Sequence, residues 1–332
     1  MTILVTGATG HIGLNLVRAL LEDGRRVRAL VHQHGERLDG LDVERVPGDV
    51  LDPSSLRRAM EGAEVVYHLA ALVSILQRDA PAVARLNVVG PRNIVAACLD
   101  AKVKRLVHFS SIHALSHLPV DGRVDETRAL TTDADGAPPY DRSKAAGERE
   151  IQAGVARGLD AVIVNPSGVI GPWDYRPSAM GTALLDMRRG ALPAMIGGGF
   201  NFTDARDIAR GAIAAEARGR TGHRYLLAGH WASVRDIAGI VERVTGARPP
   251  RFTCPMWVAQ AAAPFIEAVA NIRGTEATFT RASLHALCNH RVISTEKAET
   301  ELGYRARPLE ETIRDTFAWF DDHAAGKKGG AA

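Results

Sequence analysis

The chain opens with a continuous apolar run, Ile3, Leu4 and Val5, after which Ile12, Leu16, Val17, Leu20 and Leu21 recur at helical spacing until Gly24. Such a run suits a strand buried on both faces, and the recurrence suits an amphipathic helix stopped by glycine. The alternation continues, predicting strands at Arg26–Val31, Val43–Pro47, Glu64–His68, Arg105–Phe109 and Ala161–Val164. Helices are predicted at Pro53–Met60, Ala80–Asp100 and from Tyr140 to about Arg157. Strands joined through helix-length connections predict the α/β class, a doubly wound parallel sheet covered on both faces. Asp121–Pro139 is rich in Asp, Gly, Thr and Pro and reads as a long loop, closed where Pro138 and Pro139 can open a helix. Beyond residue 165 the alternation fades and Pro and Gly rise. The expected division is a first domain over 1–165, rejoined by strands near 201–215 and 223–228 (together 201–228), a smaller lobe over 166–200 and 229–323, and a flexible tail over 324–332.

The first strand runs into glycines at 7, 10 and 13. Gly7 can turn tightly out of the strand, Gly10 lets backbone N–H groups approach a pyrophosphate, and Gly13 lets the following helix pack on the sheet. The helix N-terminus then faces the anion. This spacing points to a dinucleotide and makes the fold Rossmann-type. The 332 residues carry 46% apolar and 24% charged residues with a net charge of +3, which suits a sizeable core and gives no basic stripe for nucleic acid. Cys98, Cys254 and Cys288 are odd in number and far apart, which argues for reduced thiols in a cytoplasmic protein and against a disulfide framework. A strand beginning at residue 2 leaves no room for a signal peptide. The apolar run Pro255–Ile272 is interrupted by Pro264 and Glu267, so no membrane span is expected and the run reads as a packed helix lining a pocket.

Tyr140 and Lys144 stand one helical turn apart, a phenol and an ammonium on one face. At about 5 Å and an effective dielectric near 20 their attraction is about 3 kcal/mol, enough to lower the phenol by about two pKa units. Such a tyrosine can exchange a proton with an alcohol or alkoxide near neutral pH. The strand before it ends in Ser110 and Ser111, of which only one can face the same crevice; Ser111 is the preferred candidate and Ser110 the alternative. About twenty residues past the glycines, where a carboxylate would select NAD, the chain has His32-Gln33-His34, which favours NADP, with His32 as the candidate phosphate partner and Arg37 as the alternative. His113 and His117 lack the neighbours of a metal motif, so no metal is expected. Met180, Met187 and Met195 suit a pocket or plain packing, and Glu126 and Asp204 read as structural.

These residues resemble the extended branch of the short-chain dehydrogenase/reductases, the NAD-dependent epimerase/dehydratase superfamily. The carriers are Thr6-Gly7-Ala8-Thr9-Gly10-His11-Ile12-Gly13, Gly48-Asp49-Val50-Leu51-Asp52, His68-Leu69-Ala70-Ala71, Asn87-Val88-Val89-Gly90, Phe109-Ser110-Ser111, Tyr140 with Lys144, and Asn165 to Pro172. Asn201 to Asp207 and Leu302-Gly303-Tyr304 carry a closer likeness to dihydroflavonol-reductase-like and hopanoid-associated sugar-epimerase-like proteins. The resemblance implies cofactor contacts from Thr6, Thr9, His11 and Ile12 beside the glycines, from Asp49 and Val50 at the adenine, from Leu69, Ala70 and Ala71 at the nicotinamide ribose, and from Pro166 and Ser167 beside the nicotinamide. It also implies a Ser111–Tyr140–Lys144 catalytic triad. The expected activity is NAD(P)-dependent reduction of an aldehyde or ketone on a medium-sized, partly apolar substrate. The alternatives are a nucleotide-sugar epimerase holding NAD tightly, with Arg188, Arg189, Arg281 and Arg291 as candidate diphosphate partners, and a non-catalytic redox sensor. Ala96, Ala97, Ala145, Ala146 and Gly147 on two helices suggest a homodimer.

Overall fold

Strands β1 (Thr2–Thr6), β2 (Arg26–Val31), β3 (Val43–Pro47), β4 (Ala63–His68), β5 (Arg105–Phe109), β6 (Ala161–Pro166) and β10 (Arg224–Leu227) form one sheet in the order β10-β6-β5-β4-β1-β2-β3. Every pairing in it is parallel. This computed structural model describes residues 1–74, 76–120, 122–192, 194–250, 252–273, 284, 287 and 292–329, so Cys288, Arg281 and Arg291 lie outside it. Helices α1 (His11–Glu22) and α7 (Ala205–Arg218) cover one face around Leu16, Val107, Val164 and Ile208. Helices α2 (Pro53–Met60), α4 (Gly90–Asp100) and α5 (Pro139–Ala156) cover the other around Leu4, Val66, Leu106 and Ile151. Both layers bury the sheet, which explains why β6 is apolar at both alternating positions and wholly buried.

The predicted helix Ala80–Asp100 is a continuous helical run in three parts: α3 (Ala80–Ala84), a π-helical stretch at Arg85–Val89, and α4. The chain lays β1, β2 and β3 to one side, then crosses back to β4 on the other side of β1. That reversal opens a crevice above the carboxyl ends of β1 and β4, where α/β sheets receive ligands.

The smaller lobe has its own three-stranded sheet in the order β11-β9-β7, from β7 (Gly168–Ile170), β9 (Gly199–Asp204) and β11 (His230–Ser233), and a parallel pair from β8 (Met195–Ile196) and β12 (Thr253–Cys254). Helices α6 (Ala179–Arg189) and α8 (Val234–Thr245) and the C-terminal helix Leu309–Gly329 pack on it around Leu184, Phe202, Ile237 and Phe317. The expected strand at 201–215 divides at Asp204: β9 joins the small sheet, and α7 returns to the main one. Asp204 caps α7 through the Arg206 N–H at 2.8 Å and is fully buried beside Arg206 and Arg307, so it joins the two lobes structurally. Glu126 accepts from Leu226 N at 3.0 Å, a tie between the long loop and β10. Met187 and Met195 are buried in the lobe core with Met180 packed against it. The tail expected from Ala324 is helical through Gly329. Helix α9 (Met256–Arg273) also departs from expectation: Ala259 and Ala263 are buried, whereas Trp257 and Phe265 point outward at 72% and 76% exposure.

Candidate active site

Gly7 leaves β1 at φ +71°, and a Cβ there would lie 2.7 Å from Ala70 N, so only glycine lets the β1 and β4 exits run side by side. Gly13 sits equally close: a Cβ would be 2.1 Å from Gly7 O. Thr6 ties the same exits, its Oγ1 lying 2.8 Å from His68 Nδ1 and accepting from Ala70 N at 3.3 Å. Gly10 caps α1 without any side-chain cap, which leaves first-turn N–H groups for a ligand. An open helix N-terminus, a glycine turn and the small-walled Leu69–Ala71 exit above a strand reversal fit a dinucleotide.

Around the rim, Arg37 donates to Thr9 O at 3.1 Å and Thr9 Oγ1 donates to Gln33 O at 3.2 Å, which holds the guanidinium against the glycine turn. His32 is 64% exposed, its Nε2 lying 3.8 Å from Asp49 Oδ2. Asp49 Oδ1 accepts from Leu51 N at 2.9 Å, and Val50 is buried beneath it, its carbonyl accepting from Asn93. Ile12 packs on the core below. The His11 ring turns toward the second lobe: Nε2 lies 3.1 Å from the carbonyls of both Gly171 and Pro172. Burial lowers the His11 pKa despite Asp174, which suits a neutral ring donating to those carbonyls. Pro166 closes β6, and the Ser167 hydroxyl is buried between Asn201 Oδ1 at 2.8 Å and Thr203 Oγ1 at 2.5 Å.

At the β5 exit, Ser111 is extended and its Oγ caps the turn Ile112–Ala114 by accepting from His113 N at 3.2 Å. The Ser111 hydroxyl also meets the Tyr140 phenol, whereas Ser110 Oγ is buried on the opposite face with no hydrogen-bond partner among the described residues. Lys144 lies 5% exposed under Tyr140, and its Nζ donates to Phe109 O at 2.7 Å. The charge coupling differs from the expectation. Burial pushes Tyr140 up to about 12; the Ser111 bond opposes this and Asp141 adds to it. Lys144 itself is brought down to about 8 by burial, with Glu148 opposing. The ammonium is spent on a carbonyl and desolvated, so it does not acidify the phenol in the unliganded protein.

Several site-forming residues escape pattern reading. Asn87, in the π-helical stretch, exchanges bonds with Leu72 N and O at 2.8 and 2.9 Å and donates to Ser143 Oγ at 3.0 Å, clasping the β4 exit to α5. His113 lies edge-on to Tyr140 with ring centroids 6.1 Å apart, and its Nδ1 is 3.5 Å from Asp141 Oδ2. Asp141 outweighs burial there and raises the His113 pKa. Asn165 donates to Ser111 O at 3.0 Å. Of these, only Asn87 and Asn165 stood in a recognised motif, with no role attached.

This geometry can hold a dinucleotide and present a hydroxyl, a phenol and an ammonium at one end of it. A family model described as NAD dependent epimerase/dehydratase family matches residues 3–228. The chain belongs to the NAD-dependent epimerase/dehydratase family. It is thus an extended short-chain dehydrogenase/reductase, a family of NAD-dependent reductases, epimerases and dehydratases. Within it, the chain is 37% identical to sterol demethylase protein B of Methylococcus capsulatus, over 96% of this chain and 98% of that one. It is 35% identical to a Synechocystis protein named for dihydroflavonol 4-reductase, over 96% and 94%. The solved structure of gox2253 superposes with a TM-score of 0.86 at 33% identity, covering 97% of this chain and 98% of that one. Among the described residues no helix is long and apolar enough to cross a membrane.

Proposed function

We propose that this family member reduces a ketone or aldehyde on a medium-sized, largely apolar ring substrate, with NADP favoured over NAD. The observation that carries the reading is the Ser111–Tyr140 contact above the buried Lys144, beside the open N-terminus of α1. The substrate class rests on the two named relatives, whose names invoke a sterol and a flavonoid. The cofactor preference rests on Arg37 at the glycine turn and on the absence of a carboxylate at the end of β2.

When bound, the nicotinamide supplies the hydride. Ser111 donates a hydrogen bond to the carbonyl oxygen, and Tyr140 delivers its proton to that oxygen as charge develops. Lys144, released from Phe109 O, would oppose the charge left on the tyrosinate and would hold the ribose hydroxyls of a bound cofactor. Burial pushes the phenol up to about 12, so the side chain enters the reaction carrying its proton. Purified protein is expected to oxidise NADPH faster than NADH with cyclic ketones, and Tyr140→Phe to lose at least about 10²-fold in kcat/KM. Wild-type turnover by Tyr140→Phe would overturn the reading, and cofactor retained through gel filtration without ketone turnover would point to an epimerase.

The homodimer is proposed on the outer face of α3 and α5. Ala97, Ala145 and Gly147 are consumed inside the subunit, but Ala80, Ala84, Val88, Arg142, Ala146 and Arg149 line an open groove of about 550 Å³. Light scattering is expected to give twice the 35.6 kDa subunit mass; a monomer would refute it.

A further inference from the structure

Tyr140, Lys144 and Glu148 recur every fourth residue of α5 and so form one stripe along the helix. Each is joined to the strand ends beneath it. Tyr140 meets Ser111, Lys144 donates to Phe109 O at 2.7 Å, and Glu148 Oε2 accepts from Asn165 Nδ2 at 3.1 Å. The same Asn165 amide donates to Ser111 O at 3.0 Å, so the third contact returns to the first. On its other oxygen Glu148 is paired with Arg224 Nη2 at 2.6 Å, and Arg224 Nη1 donates to Arg128 O at 3.0 Å. Glu148 and Asn165 are fully buried.

A carboxylate buried this deeply is costly unless it is paired and hydrogen-bonded. Asn165 hydrogen-bonds one oxygen and Arg224 neutralises the other by charge alone, leaving Oε1 without a hydrogen bond among the described residues, whereas an apolar residue would pack the stripe at no such cost. We propose that Glu148 is a positioning residue: held from below by Asn165 and Arg224, its carboxylate supplies the counter-charge for the Lys144 ammonium and fixes the register of α5 that brings Tyr140 onto Ser111. Among the described residues, His68 on β4 and His108 on β5 also face Lys144 beside Tyr140, both kept neutral by burial first and by Lys144 next. Glu148 therefore provides the opposing negative charge on this face of the ammonium, with Arg224 competing for it. This inference rests on the proposed role of Lys144.

The test is the melting temperature of the unliganded protein as a function of pH. Burial holds folded Lys144 near 8 against an ordinary 10.5, so between those values the unfolded chain binds more protons and stability rises with pH. Glu148→Gln is expected to extend that rise downward by about one pH unit, because the ammonium loses its counter-charge. Arg224→Met is expected to move its onset the opposite way, because Glu148 is then left to Lys144 alone. Since the two signs differ, either variant decides the matter if the other fails to fold. A melting temperature lowered by the same amount at every pH would reduce Glu148 to simple packing and overturn the proposal. Were hydride transfer itself the wrong reading, the parental protein would turn over no ketone while these profiles still shifted.

Discussion

Ser110 and Ser111 are adjacent in sequence and identical in chemistry, and strand alternation sends one to each side of the sheet. Ser111 meets Tyr140 and caps the turn carrying His113, whereas Ser110 is buried without a partner among the described residues. Ser111→Ala is therefore expected to lower kcat/KM about 10²-fold, the loss of one donor to the developing oxyanion. Ser110→Ala is expected to leave kcat within about twofold of the parent, since no bond is broken; steady-state NADPH oxidation checks both. At this scale the sequence offered the candidate residue types of the site, because phenol, ammonium and hydroxyl carry their chemistry with them. It did not reveal their state. The expected acidification of Tyr140 depended on two charges meeting in a partly wet site, while burial and the Phe109 carbonyl decide the outcome.

Helix α5 shows how an element places these residues. Gly147 presses against the π-helical stretch so closely that a Cβ would stand 2.3 Å from Asn87 O, and Gly154 does the same against Val95 at 2.7 Å. Asn87 in turn bonds the loop after β4 and Ser143 of α5, so the glycine contact sets the distance between the β4 exit and α5. Gly147→Ala is expected to cost about 1–3 kcal/mol of unfolding free energy in urea, the range of an overpacked core position, and to weaken cofactor binding in parallel. The small residues on α4 and α5 were visible in the chain as a signal for close approach. Most of that approach is inside the subunit, because periodicity shows that a face is small without showing which surface meets it. Likewise the segment after residue 200 carried an apolar pattern for a strand, and only the capping Asp204 divides it into β9 and α7.

Across the whole molecule, the carboxyl ends of β1, β4 and β5 carry a buried polar row, Thr6, His68 and His108, with the two imidazoles 5.3 Å apart. Burial brings His68 down to about 3 and lowers His108 as well, so the unfolded chain binds more protons than the folded one below the ordinary histidine value of 6.5. Stability is thus expected to fall as pH drops from 6.5 toward 3, by up to about 1.4 kcal/mol per pH unit from His68, with His108 acting in the same direction. Urea unfolding between pH 7 and 4 checks this, and His108→Phe is expected to flatten the slope. What the sequence determined by itself was the parallel sheet and the glycine turn, and it nominated the candidate reacting groups, because runs of apolar residues, helical spacing and backbone freedom act over short stretches of chain. Only the tertiary structure decided that His11 serves the second lobe, that Glu148 and Asn165 stand beneath Lys144 and Ser111, that α9 turns Trp257 and Phe265 outward, and that the phenol keeps its proton. Those outcomes depend on which surfaces exclude water from one another, and residues far apart in the chain settle that together.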